Sequence, residues 1–197
     1  MEGVTCMPKI VGECPVRTEL RIMHRSPSPS MIMKTAMPLQ RSHFDTPLGP
    51  MLLAASAEGL VGAWFEGQRH MPDFQSWPVV THNPDLQQAE AELRAYFAGQ
   101  RTHFSVPLSA AWGTVFQQSV WQALQQIPPG HTASYGLLAQ QLNKPLASRA
   151  VGAAVGKNPW TIIVPCHRVL GAQGALTGYA GGLDRKIALL QLEGLLL

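Results

Sequence analysis

Cysteine is scarce in this chain: Cys6, Cys14 and Cys166 are the only three among 197 residues. Odd in number and widely spaced, they argue against the disulfide framework of a small secreted domain. No CxxC or HxxxH pair is present, so zinc has no recognisable ligand set and no metal is expected. No apolar run approaches the ~20 residues that cross a bilayer. The first 35 residues lack the apolar core of a secretory signal, because Arg17, Arg21 and Arg25 interrupt them. A cytoplasmic protein without a membrane partner is the expectation. Charged residues make up only 14% of the chain against 46% hydrophobic, which excludes a disordered polymer. The length fits one domain or two small ones.

What charge there is lies unevenly. From Gly113 onward six Lys and Arg face two acids, a net of +4, whereas residues 36–112 hold four basic and seven acidic residues, a net of −3. The leading 35 residues carry +2. A basic C-terminal half suits a polyanion such as DNA. An excess this small suits an ordinary solvated face equally well.

Residues 1–35 read as a disordered tail, broken by Ser26-Pro27-Ser28-Pro29-Ser30. Met31 and Met33 follow, so the native start is expected there and the tail is expected to be dispensable. The next unit, residues 36–112, offers a turn at Thr46-Pro47-Leu48-Gly49 and strands over Met51–Ala55 and Leu60–Phe65, separated by Glu58-Gly59. A helix follows over Asp85–Ala98, with Asp85 and Gln88 placed to cap it and Gly99 to end it. This α+β unit carries no reactive constellation, and its expected role is structural.

Residues 113–197 are more sharply punctuated. Thr114 and Gln117 form a capping box ahead of an amphipathic helix that Pro128-Pro129-Gly130 stops. Ser134 caps a short helix carrying Leu137, Leu138 and Leu142, which Pro145 ends. A third helix, Leu146–Val155, presents Ala147, Ala150, Gly152, Ala153 and Ala154, with Arg149 as its one long side chain. Two short helices joined by a tight turn resemble a helix-turn-helix. A small-residue face fits close helix packing, and it also fits close approach to a DNA groove.

The densest chemistry lies in Thr161-Ile162-Ile163-Val164-Pro165-Cys166-His167-Arg168. Its apolar run reads as a buried strand that delivers Cys166 and His167 at a proline break. A thiol with a base and cations beside it can ionise and act as a nucleophile. A lone cysteine also commonly serves as a small buried hydrophobe, and the local sequence does not separate the two.

Six ordered blocks make the segment specific: Ser134-Tyr135-Gly136, Ser148-Arg149-Ala150-Val151-Gly152, Lys157-Asn158-Pro159, Pro165-Cys166-His167-Arg168-Val169, Gly178-Tyr179-Ala180-Gly181-Gly182 and Leu192-Glu193-Gly194. Together they resemble the O6-alkylguanine-DNA alkyltransferases, or methylated-DNA–protein-cysteine methyltransferases, of the bacterial constitutive type. The likeness is strong over Gly113–Leu197 and weaker over 43–112. It implies an α+β fold, with a small ribonuclease-H-like N-terminal domain followed by a winged-helix, helix-turn-helix-like catalytic domain. It further implies a monomer that repairs double-stranded DNA by moving an alkyl group from guanine O6 to its own cysteine, once and irreversibly. Whether O4 of thymine is also dealkylated is left open.

Carried onto this chain, the resemblance makes Cys166 the acceptor, His167 its base acting through a water, and Glu193 the group that orients the imidazole. Asn158 braces the turn around the cysteine. Arg149 fills the gap left by the extruded nucleotide. Tyr135 presses on the neighbouring phosphate and contacts the flipped base, while Val169, Tyr179 and Ala180 line the pocket. No cofactor is implied, since the lesion is the alkyl donor. Many relatives carry serine where Ala180 stands; the family contact there comes from a backbone N–H, which alanine keeps.

Physical chemistry explains these residue types. An O6-alkyl carbon is buried in stacked DNA, so the nucleotide must first leave the helix at a cost of a few kcal/mol. A guanidinium can occupy the vacated space and offset part of that cost. The displacement needs a thiolate, hence a base, and a carboxylate behind the histidine stabilises the imidazolium. Glu193 fits that role on independent grounds: it ends a helix expected to be capped by Asp184, where the macrodipole disfavours an anion, and it shares the side of Leu189 and Leu190. Three other readings remain: a non-catalytic alkylated-DNA sensor or regulator, a cysteine hydrolase, and a purely structural interaction protein, which leaves the ordered blocks unexplained. The sensors of this fold lack the cysteine that is present here, and a hydrolase has no use for an inserted arginine.

Overall fold

The computed structural model describes residues 39–195; the expected tail, the Ser26–Ser30 breaker and the Met31 start lie outside them. The described chain opens with three antiparallel strands in chain order, β1 (Gln40–Thr46), β2 (Gly49–Ser56) and β3 (Gly59–Phe65). Thr46 makes the first turn by accepting from the Leu48 N–H and donating its hydroxyl to the Gly49 carbonyl. Gly49 takes φ +107°, a conformation that disfavours any side chain. β1 carries no strand signal of its own, since Phe44 is its one buried residue; pairing with β2 makes it a strand.

Alternation along β2 divides its side chains between two faces. Met51, Leu53 and Ala55 enter the main core beside Leu86, Ala89, Leu93 and Tyr96 of helix α1 (Pro84–Phe97). Leu52 and Ala54 join Val61 and Trp64 in a second cluster, against which Phe74, Trp77 and Trp112 pack. α1 is capped by Asn83, not by Asp85: the Asn83 side-chain oxygen Oδ1 accepts from the Leu86 N–H, and Pro84 occupies the first helical position. Proline suits that position because its missing N–H would have had no helical partner. Asp85 lies inside the first turn, where its charge complements the helix dipole.

The C-terminal half is mostly helical. The Thr114–Gln117 capping box opens α2 (Val115–Gln125), and Ser134 caps α3 (Tyr135–Gln141) by accepting from the Leu137 N–H. α3 stops before Pro145 can act. Asn143 turns left-handed at φ 56°, and the Lys144 N–H bonds back to the Ala139 carbonyl. α4 (Ser148–Gly156) then packs on α2 and α3, giving the expected helix-turn-helix pair. β4 (Ala133–Ser134) and β5 (Val169–Leu170) pair in parallel, and α5 (Leu183–Leu192) follows. Asp184 sits in the first turn of α5 but does not cap it; Gly182 holds the cap position without a side-chain bond.

The segment expected as a strand before Cys166 is instead a tight turn. Only its approach pairs with β3: Ala63 N–H donates to the Pro159 carbonyl at 2.8 Å, and Thr161 N–H to the Ala63 carbonyl at 2.9 Å. Trp160 also donates its indole N–H to the Leu60 carbonyl at 2.8 Å. The chain then reverses at Ile162, which adopts φ 73° despite its branched β-carbon. The Val164 N–H closes the turn on the Trp160 carbonyl. Every residue from Asn158 to Leu170 is buried, and this enclosure, not extension, explains the apolar run.

Candidate active site

Cys166 begins a single 3₁₀ turn, Cys166–Arg168, directly after the Ile162 reversal. Asn158 holds the two together. Its side-chain amide donates to the Val164 carbonyl at 2.8 Å and to Cys166 Sγ at 3.2 Å, while its oxygen accepts from the Trp160 N–H at 3.1 Å. Burial pushes the Cys166 thiol up from its ordinary range. The Asn158 amide, the Lys186 charge and nearby backbone N–H groups act in the opposite direction. The resting thiol is therefore protonated, and it needs a base to become a nucleophile.

The imidazole nearest in sequence is that of His167. It is fully buried, and its Nε2 lies 2.9 Å from Glu193 Oε1. Glu193 also receives Arg168 Nε at 2.7 Å, Arg168 Nη2 at 2.8 Å and the Tyr96 hydroxyl at 2.9 Å. Burial acts to raise its carboxyl, but hydrogen bonds and charges from His167 and Arg168 outweigh it and leave the group lowered to about 2. An ionised carboxylate only accepts, so His167 Nε2 carries the proton. Burial holds the imidazole below its ordinary value against the pull of Glu193, so the ring is neutral at pH 7. Nδ1 is then a free lone pair, and it is buried without a hydrogen-bond partner among the described residues.

Cys166 lines a cavity of about 320 Å³ together with Tyr135, Gly152, Tyr179 and Ala180. The Tyr179 hydroxyl is buried there with no partner among the described residues. Of the residues singled out from sequence, Cys166, Tyr135, Tyr179 and Ala180 meet at the cavity, with Asn158, His167 and Glu193 linked to the cysteine turn. Val169 is not in the wall: it is wholly buried in β5, and its carbonyl accepts from Lys186 Nζ at 2.6 Å. Arg149 stands exposed in the first turn of α4, also outside the lining.

Five contributors escaped the sequence reading. Arg168 chelates Glu193, and Lys186 is buried, with Nζ bonded to the carbonyls of Val169 and Thr177. Helical spacing could have found Lys186, because it shares a face with Leu189 and Leu190. Tyr96 reaches Glu193 from α1, across 97 positions of chain. Arg69 and His70, just beyond β3, line the cavity from the N-terminal half. Nothing local in the sequence signals these last contacts, and they correct the expectation that this half is scaffold alone.

Comparison with known proteins gives the family. Residues 39–110 match the ribonuclease-like domain of 6-O-methylguanine DNA methyltransferase, and residues 115–195 match its DNA binding domain. A methylated-DNA–protein-cysteine methyltransferase of Methanosarcina acetivorans is 51% identical over 152 residues, covering 77% of this chain and 96% of the relative. The Mycobacterium leprae protein of the same name is 48% identical over 149 residues, covering 76% and 88%. The crystal structure of Mycobacterium tuberculosis OGT in complex with DNA superposes with a TM-score of 0.73 at 47% identity, over 79% of this chain and 93% of that one. With both halves matched, and with a buried Cys166 set beside a His167–Glu193 pair, the chain belongs to the 6-O-methylguanine DNA methyltransferase family.

Proposed function

We propose that this protein repairs double-stranded DNA by direct reversal, taking the alkyl group from O6 of guanine onto Cys166. The observation that carries the reading is a cysteine in the wall of a base-sized cavity, backed by a neutral histidine whose free Nδ1 is fixed by Glu193. Nδ1 makes no hydrogen bond to Sγ, so the thiol proton reaches it through a bridging solvent molecule. The thiolate attacks the alkyl carbon, a C–S bond forms and the C–O6 bond breaks. The electron pair passes to guanine, which takes up a proton and regains its normal form.

Asn158 and Lys186 stabilise the thiolate, by an amide hydrogen bond and by charge. Tyr135 and the unpaired Tyr179 hydroxyl face the base, beside the Ala180 segment. The product is a thioether, which water does not cleave at neutral pH, so each molecule acts once. Intact-protein mass spectrometry after mixing with a duplex carrying one O6-methylguanine is the test. One added methyl group on the Cys166 peptide, absent from Cys166→Ala, is expected. An unmodified protein that still binds the lesion would mark a sensor and end this reading.

Arg149 projects from the start of α4 with no side-chain partner among the described residues, free to enter the space an extruded nucleotide vacates. Arg149→Ala is expected to slow transfer from duplex DNA at least tenfold, the order of the lost extrusion energy. Transfer from free O6-methylguanine base should hardly change. Equal slowing of the two reactions would refute the gap-filling role.

A further inference from the structure

Of the seven arginines among the described residues, five are held by the protein. Arg41 bonds the Trp77 carbonyl, Arg94 pairs with Glu90, Arg101 with Glu92 and Arg168 with Glu193, while Arg185 bonds the Leu48 carbonyl. Arg149 and Arg69 have no side-chain partner among the described residues. Arg149 has its proposed place in the duplex, and Arg69 has had none.

The backbone around Arg69 is nonetheless firmly placed. Gln68 is buried, and its side-chain oxygen accepts from the Phe65 N–H at 2.9 Å and from the Thr161 hydroxyl at 3.1 Å. The Arg69 N–H donates to the Ala180 carbonyl at 3.0 Å, which ties this segment to the Gly178–Ala180 part of the cavity lining. His70 follows in the left-handed region at φ 63°, uncommon for a residue with a side chain and concentrated at functional sites. A segment anchored at two successive residues and strained at the third thus presents an exposed guanidinium at the cavity that Cys166 lines. The other fixed charge in that wall is the Lys157 ammonium, also exposed, and no acid lines it.

A free guanidinium on an anchored backbone, beside a cavity without acids, is a site for an anion. The anion that accompanies a nucleotide into this cavity is its own phosphodiester. We propose that Arg69 grips a backbone phosphate next to the extruded nucleotide, so that the N-terminal half of the protein takes part in DNA binding. The inference rests on the reading that an alkylated base enters this cavity. It differs from that reading in the element that supplies the contact, since Arg69 lies outside the helix-turn-helix.

The test is the salt dependence of equilibrium binding to a duplex carrying one O6-methylguanine, with every protein in a Cys166→Ala background so that no transfer occurs. Each phosphate contact contributes about 0.9 to the slope of log affinity against log salt. Arg69→Gln should lower that slope by about 1 and weaken binding roughly tenfold at moderate salt. Arg69→Lys, which keeps the charge, should restore the slope. With Cys166 intact, transfer from free O6-methylguanine base should be the same for Arg69 and Arg69→Gln.

An unchanged slope in Arg69→Gln overturns the proposal. So does an equal loss of transfer from the free base, which would place Arg69 against the base itself. Failure of the underlying repair reading is visible separately, as the absence of a methyl group on Cys166 in the otherwise native protein. Thermal unfolding of both Arg69 variants should match the native protein, because this side chain has no intramolecular bond to lose.

Discussion

Glutamine in place of Glu193 is expected to cut alkyl transfer by roughly 10²–10⁴-fold, the contribution of a positioned base. The carboxylate accepts from three donors, the His167 ring, the Arg168 guanidinium and the Tyr96 hydroxyl. A glutamine amide brings two N–H donors into that cluster of donors. The imidazole can meet an amide N–H only by removing the proton from Nε2, which places it on Nδ1. The atom that should receive the thiol proton is then already protonated, the same loss of tautomer that disables a hydrolase triad. Single-turnover rates on an O6-methylguanine duplex would show this, and a rate within threefold of native would refute it.

The same substitution should also destabilise the fold. Removing one member of a buried ionic cluster leaves the other charge uncompensated, at a cost of about 3–5 kcal/mol. For a chain of this size that corresponds to a melting temperature lower by about 10 °C.

Acid has a related effect with a defined sign. The Glu193 carboxyl titrates at about 2 in the folded protein, below its ordinary 4.5. Its contribution to stability is therefore complete above pH 4.5 and is lost as pH falls towards 2. Its size is about 3 kcal/mol. Denaturant titrations across that window should show native stability falling, and a smaller fall in Glu193→Gln. Parallel curves would mean that Glu193 does not govern the acid limb.

Methionine in place of Lys186 is the second large effect expected. Lys186 is fully buried, with Nζ 2.6 Å from the Val169 carbonyl and 2.8 Å from the Thr177 carbonyl. Burial lowers it to about 8, and the nearby Cys166 thiolate acts to raise it. The reciprocal effect favours the thiolate. Methionine fills similar space without charge, so the Cys166 thiol should move further up and the transfer rate fall by roughly 10²-fold.

A purely structural lysine would produce a different signature. The rate at which a small alkylating reagent modifies Cys166, followed against pH, should shift to higher pH in Lys186→Met. An unshifted profile with normal transfer would leave Lys186 no part in the chemistry, only its two carbonyl bonds.

The chain's local grammar was readable because it acts over a few residues. The Thr114–Gln117 box and the Ser134 cap form as their spacing requires, since each satisfies helix N–H groups within three positions. Where two local signals competed, the neighbouring sequence did not rank them. Asn83 and Pro84 cap α1 ahead of Asp85, and Asn143 ends α3 ahead of Pro145. The apolar run before Cys166 misled for a related reason. Burial on every side makes a turn as hydrophobic as a buried strand, and only the parallel bridge of Trp160 to β3 reveals where extension stops.

The ordered blocks from Tyr135 to Glu193 determined the family without any coordinates, because the resemblance depends on residue type in a set order. Folding alone brought Tyr96 to Glu193, Lys186 to the carbonyls behind Cys166, and Arg69 to the cavity wall. These contacts join elements far apart in the chain. Their geometry depends on how β3, α1 and α5 pack into one shared core, and no short window of residues carries that information.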